Sequence, residues 1–297
     1  MARINKTIEL IEQGQPAYAI DARELTYAAG RDQANTWADL ILIDFEHHAF
    51  DVIGLTKFMR GLKEGGPTPS GHPTPTVITT LPSNCMSHEE VIYNAWQARH
   101  VLSAGVHGIL HTHARDPEAV RAFVAITRYP FQTIGRDRGL PEGLRGSGGG
   151  AQAAAVWGVS RQEYVRKADP WPLNPNGELM LGLKIEDRHC LANANAIAGT
   201  PGIAFAEWGP GDMGMSFGAT NAHDPPYSPL MDKARNTVKA ACDKAGIAFY
   251  CGWPDKSMTE EQRVRLLIEE IGAKIMGAPT RAFADIGRRL TGRVMPV

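Results

Sequence analysis

The chain has 297 residues, with 31 Lys or Arg against 32 Asp or Glu and a formal net charge of −1. That balance excludes a protein that works by neutralising a polyanion, which needs a surplus of basic side chains, so no nucleic-acid partner is expected. Its 43% hydrophobic fraction supports a sizeable core, yet no run reaches the roughly 18 apolar residues of a membrane span. The N-terminal stretch also lacks the apolar core and cleavage site of a signal peptide. Cys85, Cys190, Cys242 and Cys251 are scattered without a C-x-x-C pair, which fits reduced thiols in the cytoplasm.

In chain order, short apolar runs read as buried parallel strands: 16–21 (PAYAID), 40–45 (LILIDF), 76–80 (TVITT) and 108–113 (GILHTH). They continue at 179–186 (LMLGLKIE), 203–209 (IAFAEWG), 246–252 (GIAFYCG) and 274–277 (KIMG). Helical patterns fill the gaps. Ser87 with Glu90 reads as a capping box that opens a helix stopped near Gly105, and Thr259 opens another. SPLMDKARNTVKAACDKAG is a third. Eight strands alternating with helices predict a (β/α)₈ TIM barrel, one domain over residues 1–297. The first strand is not followed by G-x-G-x-x-G, which weighs against an open dinucleotide-binding sheet. Two turn-rich segments, 63–75 and 135–150, interrupt the rhythm and read as lids or subunit contacts.

A parallel barrel carries its chemistry at the carboxyl ends of its strands. Glu186 and Asp212 follow two of the strands, and two carboxylates suit a hard divalent cation; they equally suit ordinary strand-end or capping acids. His47 and His48 follow the second strand beside Glu46 and Asp51, and one imidazole there suits a general base. His111 and His113 stand two apart, so both are expected on one side of the fourth strand as proton carriers or metal ligands. The run Gly146-Ser147-Gly148-Gly149-Gly150 offers backbone N–H groups for a carboxylate, or simply a flexible hinge.

Four segments in order carry a resemblance over nearly the whole chain: LILIDFEHHAFD, RYPFQTIGRDRGLPEGLRGSGGG, LGLKIED and WGPGDMGMSFG. Together they resemble the HpcH/HpaI aldolases, the pyruvate-releasing class II aldolases related to citrate lyase β-subunits. Within that family the chain resembles the aldolases acting on 4-hydroxy-2-oxoheptanedioate and 2-oxo-3-deoxy acids. The resemblance implies a barrel of the phosphoenolpyruvate/pyruvate-binding type, in a homo-oligomer (a hexamer, a trimer of dimers that exchange a C-terminal helix). It also implies a divalent metal on Glu186 and Asp212, Mg²⁺ or Mn²⁺ first and Co²⁺ or Zn²⁺ next. His47 takes the place of the catalytic histidine and Arg145 that of the motif arginine. Backbone around Ser147, Gly148 and Gly211 would hold the carboxylate of a pyruvate-like 2-oxo acid, with an aldehyde as second partner.

The departures are specific. Thr79 takes the place of an arginine on the third strand, and a hydroxyl cannot supply a guanidinium's charge and paired donors. Ser103 replaces the acid that partners the histidine, Lys184 replaces a glutamine, and His111 and His113 are additions. Lys184 is expected to bring an ammonium near the metal, or to form a Schiff base if its pKa is depressed. The implied activity is a metal-dependent carbon–carbon lyase working through a metal-bound enolate. The alternatives are a decarboxylase, hydrolase or synthase on the same scaffold, or an inactive binding protein.

Overall fold

The computed structural model describes residues 3–297. Nine strands form among the described residues: β1 (Ala17–Asp21), β2 (Leu40–Ile43), β3 (Thr76–Thr79), β4 (Gly108–His111), β5 (Pro170–Trp171), β6 (Leu179–Lys184), β7 (Phe205–Glu207), β8 (Ala248–Tyr250) and β9 (Ile275–Gly277). Every pairing is parallel, and the order β4-β3-β2-β1-β9-β8-β7-β6 closes through β4–β6 into an eight-stranded barrel. β5 is a two-residue accessory strand beside the start of β6. The (β/α)₈ expectation is met, and each predicted run contains one barrel strand.

Period-two alternation divides the side chains. Ala19, Leu40, Ile78, Leu110, Met180, Phe205, Ala248 and Ile275 point inward and fill the barrel. Gly182 makes room there, since a Cβ would sit 2.2 Å from the Phe205 ring. Alternate residues such as Ile41, Val77, Ile109 and Leu183 point outward and pack under the helices.

The N-terminal helix Lys6–Glu12 closes the foot of the barrel by placing Ile8 against the inner cluster. Its start is fixed by Thr7 N–H donating to Thr76 Oγ1 at 3.0 Å, and by the Asn5 amide donating to the Glu178 carbonyl at 3.1 Å. The C-terminal helix Arg281–Leu290 packs on its own barrel, with Phe283 and Ala284 buried. Its Arg288, with Arg293 and Lys6, surrounds the buried Asp39 just before β2.

Ser87 caps its helix by accepting from Glu90 N–H at 3.2 Å, but the reciprocal half of the expected box is missing. The Glu90 carboxylate instead accepts from Asn84 N–H at 3.1 Å. The helical run then breaks at Asn94 into His88–Tyr93 and Ala95–Ala104. Thr259 and Gln262 do form a full box. Among the described residues no helix is long and apolar enough to cross a membrane.

Candidate active site

Where the strands end, the inward positions become polar. On β6 the alternation Gly182, Lys184 carries on to Glu186, so the ammonium and the carboxylate share one side, 3.5 Å apart. Beyond β2, Asp44 folds the chain back by accepting from the N–H groups of Glu46 (2.8 Å) and His47 (3.2 Å). That turn brings the Glu46 carboxylate over β6, where its Oε2 lies 2.6 Å from Lys184 Nζ. Asp212 enters from the first turn of the helix Pro210–Ser216. At Gly209, just before that helix, a Cβ would lie 2.5 Å from Glu186 Oε2, so the glycine leaves room for the buried carboxylate. Gly211 sits in the same turn beside His223 at the rim.

His113 completes the set. It follows β4 with φ +48°, a left-handed conformation that is uncommon for a residue with a Cβ and typical of functional positions. Its N–H donates to Glu186 Oε1 at 3.2 Å, and its Nδ1 lies 3.1 Å from Asp187 Oδ2. Asp187 is itself fixed by Arg115 Nε (2.9 Å) and by the N–H groups of His189 and Cys190. Burial alone would raise the Asp187 pKa, but these bonds hold it far below the usual range. Its hydrogen bond in turn raises that of His113.

Glu46, His113, Glu186 and Asp212 thus each offer one ligand atom, and these atoms lie within 4.8 Å of one another. Three carboxylates and an imidazole are a donor set for a hard to borderline divalent cation. Glu186 is fully buried, and its Oε2 has no hydrogen-bond partner. The nearest ammonium, Lys184 Nζ, stands 3.5 Å from it and makes its hydrogen bond to Glu46 instead, so the buried oxygen is left short of a partner and the residues present fit a metal ion. Burial pushes the Glu186 pKa up to about 7; Lys184 opposes the rise and Glu46 adds to it. A second, overlapping group of Asp44, Glu46 and His47 is also close enough for an ion, but Asp44 is spent on orienting its neighbours.

His47 stands at the edge of this set. Its Nδ1 lies 2.8 Å from Asp44 Oδ2, which fixes the ring and leaves Nε2 as the free nitrogen. Asp44 is thus the carboxylate that orients the His47 ring in this chain. Thr80 Oγ1 donates to Asp44 Oδ1 at 3.1 Å and accepts from Phe45 N–H at 2.7 Å. A cavity of about 390 Å³ opens here, lined by Asp21, Arg23, Asp44, His47, Thr80, Lys184 and Glu207. It adjoins a second of about 610 Å³ that shares Asp21, Arg23 and Glu207 and runs to Tyr250 and Trp253.

Several expected site residues lie elsewhere. His111 is the last residue of β4 and takes the outward parity, packing edge-on against Phe123 with ring centroids 4.8 Å apart. It is buried, which pushes its pKa down to about 3, so it is a neutral wall residue rather than a partner of His113. Thr79 likewise points outward and is fully buried; the inward neighbour is Thr80. Arg145, Ser147 and Gly148 are at the foot. Arg145 N–H bonds the Arg128 carbonyl at 2.8 Å, past the end of the helix Pro117–Thr127 that descends from the mouth. Its guanidinium lies 4.4 Å over the Tyr129 ring and donates to Tyr164 Oη at 3.0 Å. The Ser147 carbonyl accepts from Arg161. In this chain these three do not meet Glu186.

Lys184 is also clarified. Desolvation alone would depress its pKa, but Glu207, Glu186 and Glu46 outweigh it and hold the ammonium above its ordinary value. The condition for a Schiff base is therefore not met. Asp21, Arg23 and Glu207 were not singled out from the sequence. Glu207 faces Lys184 directly in the β6–β7 register, and burial pushes its pKa up to about 8. Its signal was there to read: Glu207 ends an apolar strand at the same height as Lys184.

A "Hydroxypyruvate/pyruvate aldolase" of Paraburkholderia phytofirmans is 28% identical over 74% of this chain and 72% of its own length. A crystal structure of an HpcH/HpaI aldolase/citrate lyase family protein from Burkholderia cenocepacia covers 98% of both chains with a TM-score of 0.69 and 22% identity. The citrate lyase β-subunit of M. tuberculosis, solved with oxaloacetate and magnesium, shares the fold at TM-score 0.53 and 12% identity over 92% of this chain and 96% of its own. The family model for HpcH/HpaI aldolase/citrate lyase matches residues 87–266, more than half of the chain, and the protein belongs to that family.

Proposed function

We propose that the protein is a divalent-metal-dependent carbon–carbon lyase of the class II aldolase kind, cleaving or forming a hydroxy-oxo acid at the barrel mouth. Its family membership and its aldolase relatives support an aldolase or lyase activity. One observation carries the metal-dependent form: Glu46, His113, Glu186 and Asp212 converge within 4.8 Å around the partnerless Glu186 Oε2, beside an imidazole oriented by Asp44.

Glu186 and Asp212 would hold the ion, with His113 and Glu46 completing the set, and Mg²⁺ or Mn²⁺ suits the oxygen-rich donors. When bound, such a cation supplies Lewis acidity to a chelating pyruvate-like 2-oxo acid. The chain's own residues then do the remaining work. Asp187 keeps the His113 ring in place. In cleavage His47, held through Nδ1, takes the proton of the hydroxy-oxo acid's own hydroxyl at Nε2 as the carbon–carbon bond breaks and the aldehyde leaves, and a proton then goes to the carbon that bond held, giving pyruvate; synthesis runs the same transfers backwards. Thr80 keeps Asp44 aimed at His47. The cavity lined by Asp21, Arg23 and Glu207 receives the aldehyde. We further read the protein as a cytoplasmic homo-oligomer, which light scattering would check.

The test is pyruvate release from a panel of hydroxy-oxo acids by metal-stripped protein, with and without added Mn²⁺ or Mg²⁺. Pyruvate together with an aldehyde, dependent on metal, is expected. Metal-independent turnover, or none on any member, defeats the reading, and CO₂ in place of aldehyde redirects it to a decarboxylase.

A further inference from the structure

Two of the three carboxylates in the metal set already face a cation built into the chain. Lys184 Nζ lies 2.6 Å from Glu46 Oε2 and 3.5 Å from Glu186 Oε2, and the three side chains are 13%, 11% and 0% exposed. A divalent ion on those carboxylates would stand a few ångströms from the ammonium in a poorly solvated site, where like charges repel strongly. Water screens the pair only weakly at that burial, and β6 fixes the root of the lysine.

The ammonium has somewhere else to go. Glu207 is its register partner on β7, both residues line the same cavity, and Glu207 Oε2 has no partner. No contact within ion-pair distance joins Lys184 to Glu207 among the described residues. The lysine thus sits on the metal-side carboxylate while a second one waits across the strand pair.

We infer that Lys184 and the divalent cation compete for Glu46, and that metal entry transfers the ammonium from Glu46 to Glu207. This rests on reading the four-residue set as a metal site, and it assigns Lys184 a positioning role rather than covalent chemistry. Metal affinity is then set low by a built-in competitor. Loading also carries a positive charge toward the far side of the cavity where the second reactant binds.

Mn²⁺ binding to the metal-stripped full chain, followed by the loss of the free-ion EPR signal, tests this without recourse to turnover. Lys184→Met should bind Mn²⁺ about tenfold more tightly than the unaltered chain, because a fixed positive charge is gone. Lys184→Arg keeps the charge and should stay within about threefold of the unaltered chain. Glu207→Gln removes the second berth and should weaken binding by about threefold or more. Should Lys184→Met fail to fold, Lys184→Gln carries the same expectation. Equal or weaker binding by the neutral variant, with the unaltered chain binding normally, overturns the competition and leaves the metal site standing. No Mn²⁺ binding by any of the proteins removes the metal reading itself.

Discussion

The foot and the mouth of this barrel are built from the same ingredients with the signs exchanged. At the foot three cations, Lys6, Arg288 and Arg293, close on one carboxylate, Asp39. At the mouth three carboxylates, Glu46, Glu186 and Glu207, crowd one ammonium, Lys184. Asp39 accepts two 2.7 Å bonds from Arg293 and lies 3.1 Å from Lys6. Burial alone would raise its pKa, yet those partners depress it. Glu186 and Glu207 go the other way, and one oxygen of each lacks a hydrogen-bond partner. A buried acid with more partners than it needs is part of the framework. Buried acids with fewer are groups kept ready to bind something, at a cost in stability that the framework carries.

The difference can be broken at either end. Glu186→Ala is the most damaging change to function: metal content by mass spectrometry should vanish, and pyruvate release should fall by about a thousandfold or more, since Lewis-acid stabilisation is worth several kcal/mol. Retained metal would remove Glu186 from the ligand set. Asp39→Ala should leave the kinetics of the surviving folded protein unaltered but cost about 3–5 kcal/mol in urea unfolding, because three buried cations lose their anion. Asp44→Asn should lower turnover by about a hundredfold with little change in stability, the scale of a mispositioned general base.

The mouth also predicts a pH dependence. Raised carboxyl values mean that the metal-free folded chain holds protons which the unfolded chain has already released. Between the ordinary 4.5 and the shifted values of about 7 and 8, stability should therefore fall as pH rises. Melting temperatures from pH 5 to 8 should show this decline, and Glu207→Gln should flatten it. A rise over that range would contradict the account of both acids. The smallest effect is expected of His111→Leu: activity within about twofold, and stability within about 1.5 kcal/mol, because a similar volume is kept and a partnerless Nδ1 is removed.

The barrel was legible because its eight inner strands are short, apolar and rich in β-branched residues, a pattern that survives any detail of the ends. The site was legible only where position along a strand settles direction. Lys184 and Glu186 share one parity and were correctly expected on one side. His111 and His113 share a parity too, but the ladder stops at His111 and the left-handed turn at His113 sends the second ring elsewhere. Thr79 differs from Thr80 by one residue, which on a strand is a change of face. Arg145, Ser147 and Gly148 follow the helix Pro117–Thr127, and a loop after a helix returns to the foot. That rule was available in the sequence, while the motif pulled the reading toward the mouth. Glu90 shows the same limit at a helix start: spacing named the box, but a nearby N–H of Asn84 took the carboxylate.

The helix Lys6–Glu12, stoppered into the foot by Ile8 and Thr7, has a kinetic consequence. With the lower end plugged and the interior packed solid, traffic has a single doorway. Glu186 lies at the bottom of that doorway, while His47 stands exposed at its threshold. On the proposed function, a 2-oxo acid held beside Glu186 must arrive first and leave last, because the reactant nearer the threshold would bar its exit. The order of arrival is thus written into the depth of two side chains. Product-inhibition patterns in the cleavage direction should be those of a queue: the 2-oxo acid competitive with the hydroxy-oxo acid, the aldehyde not.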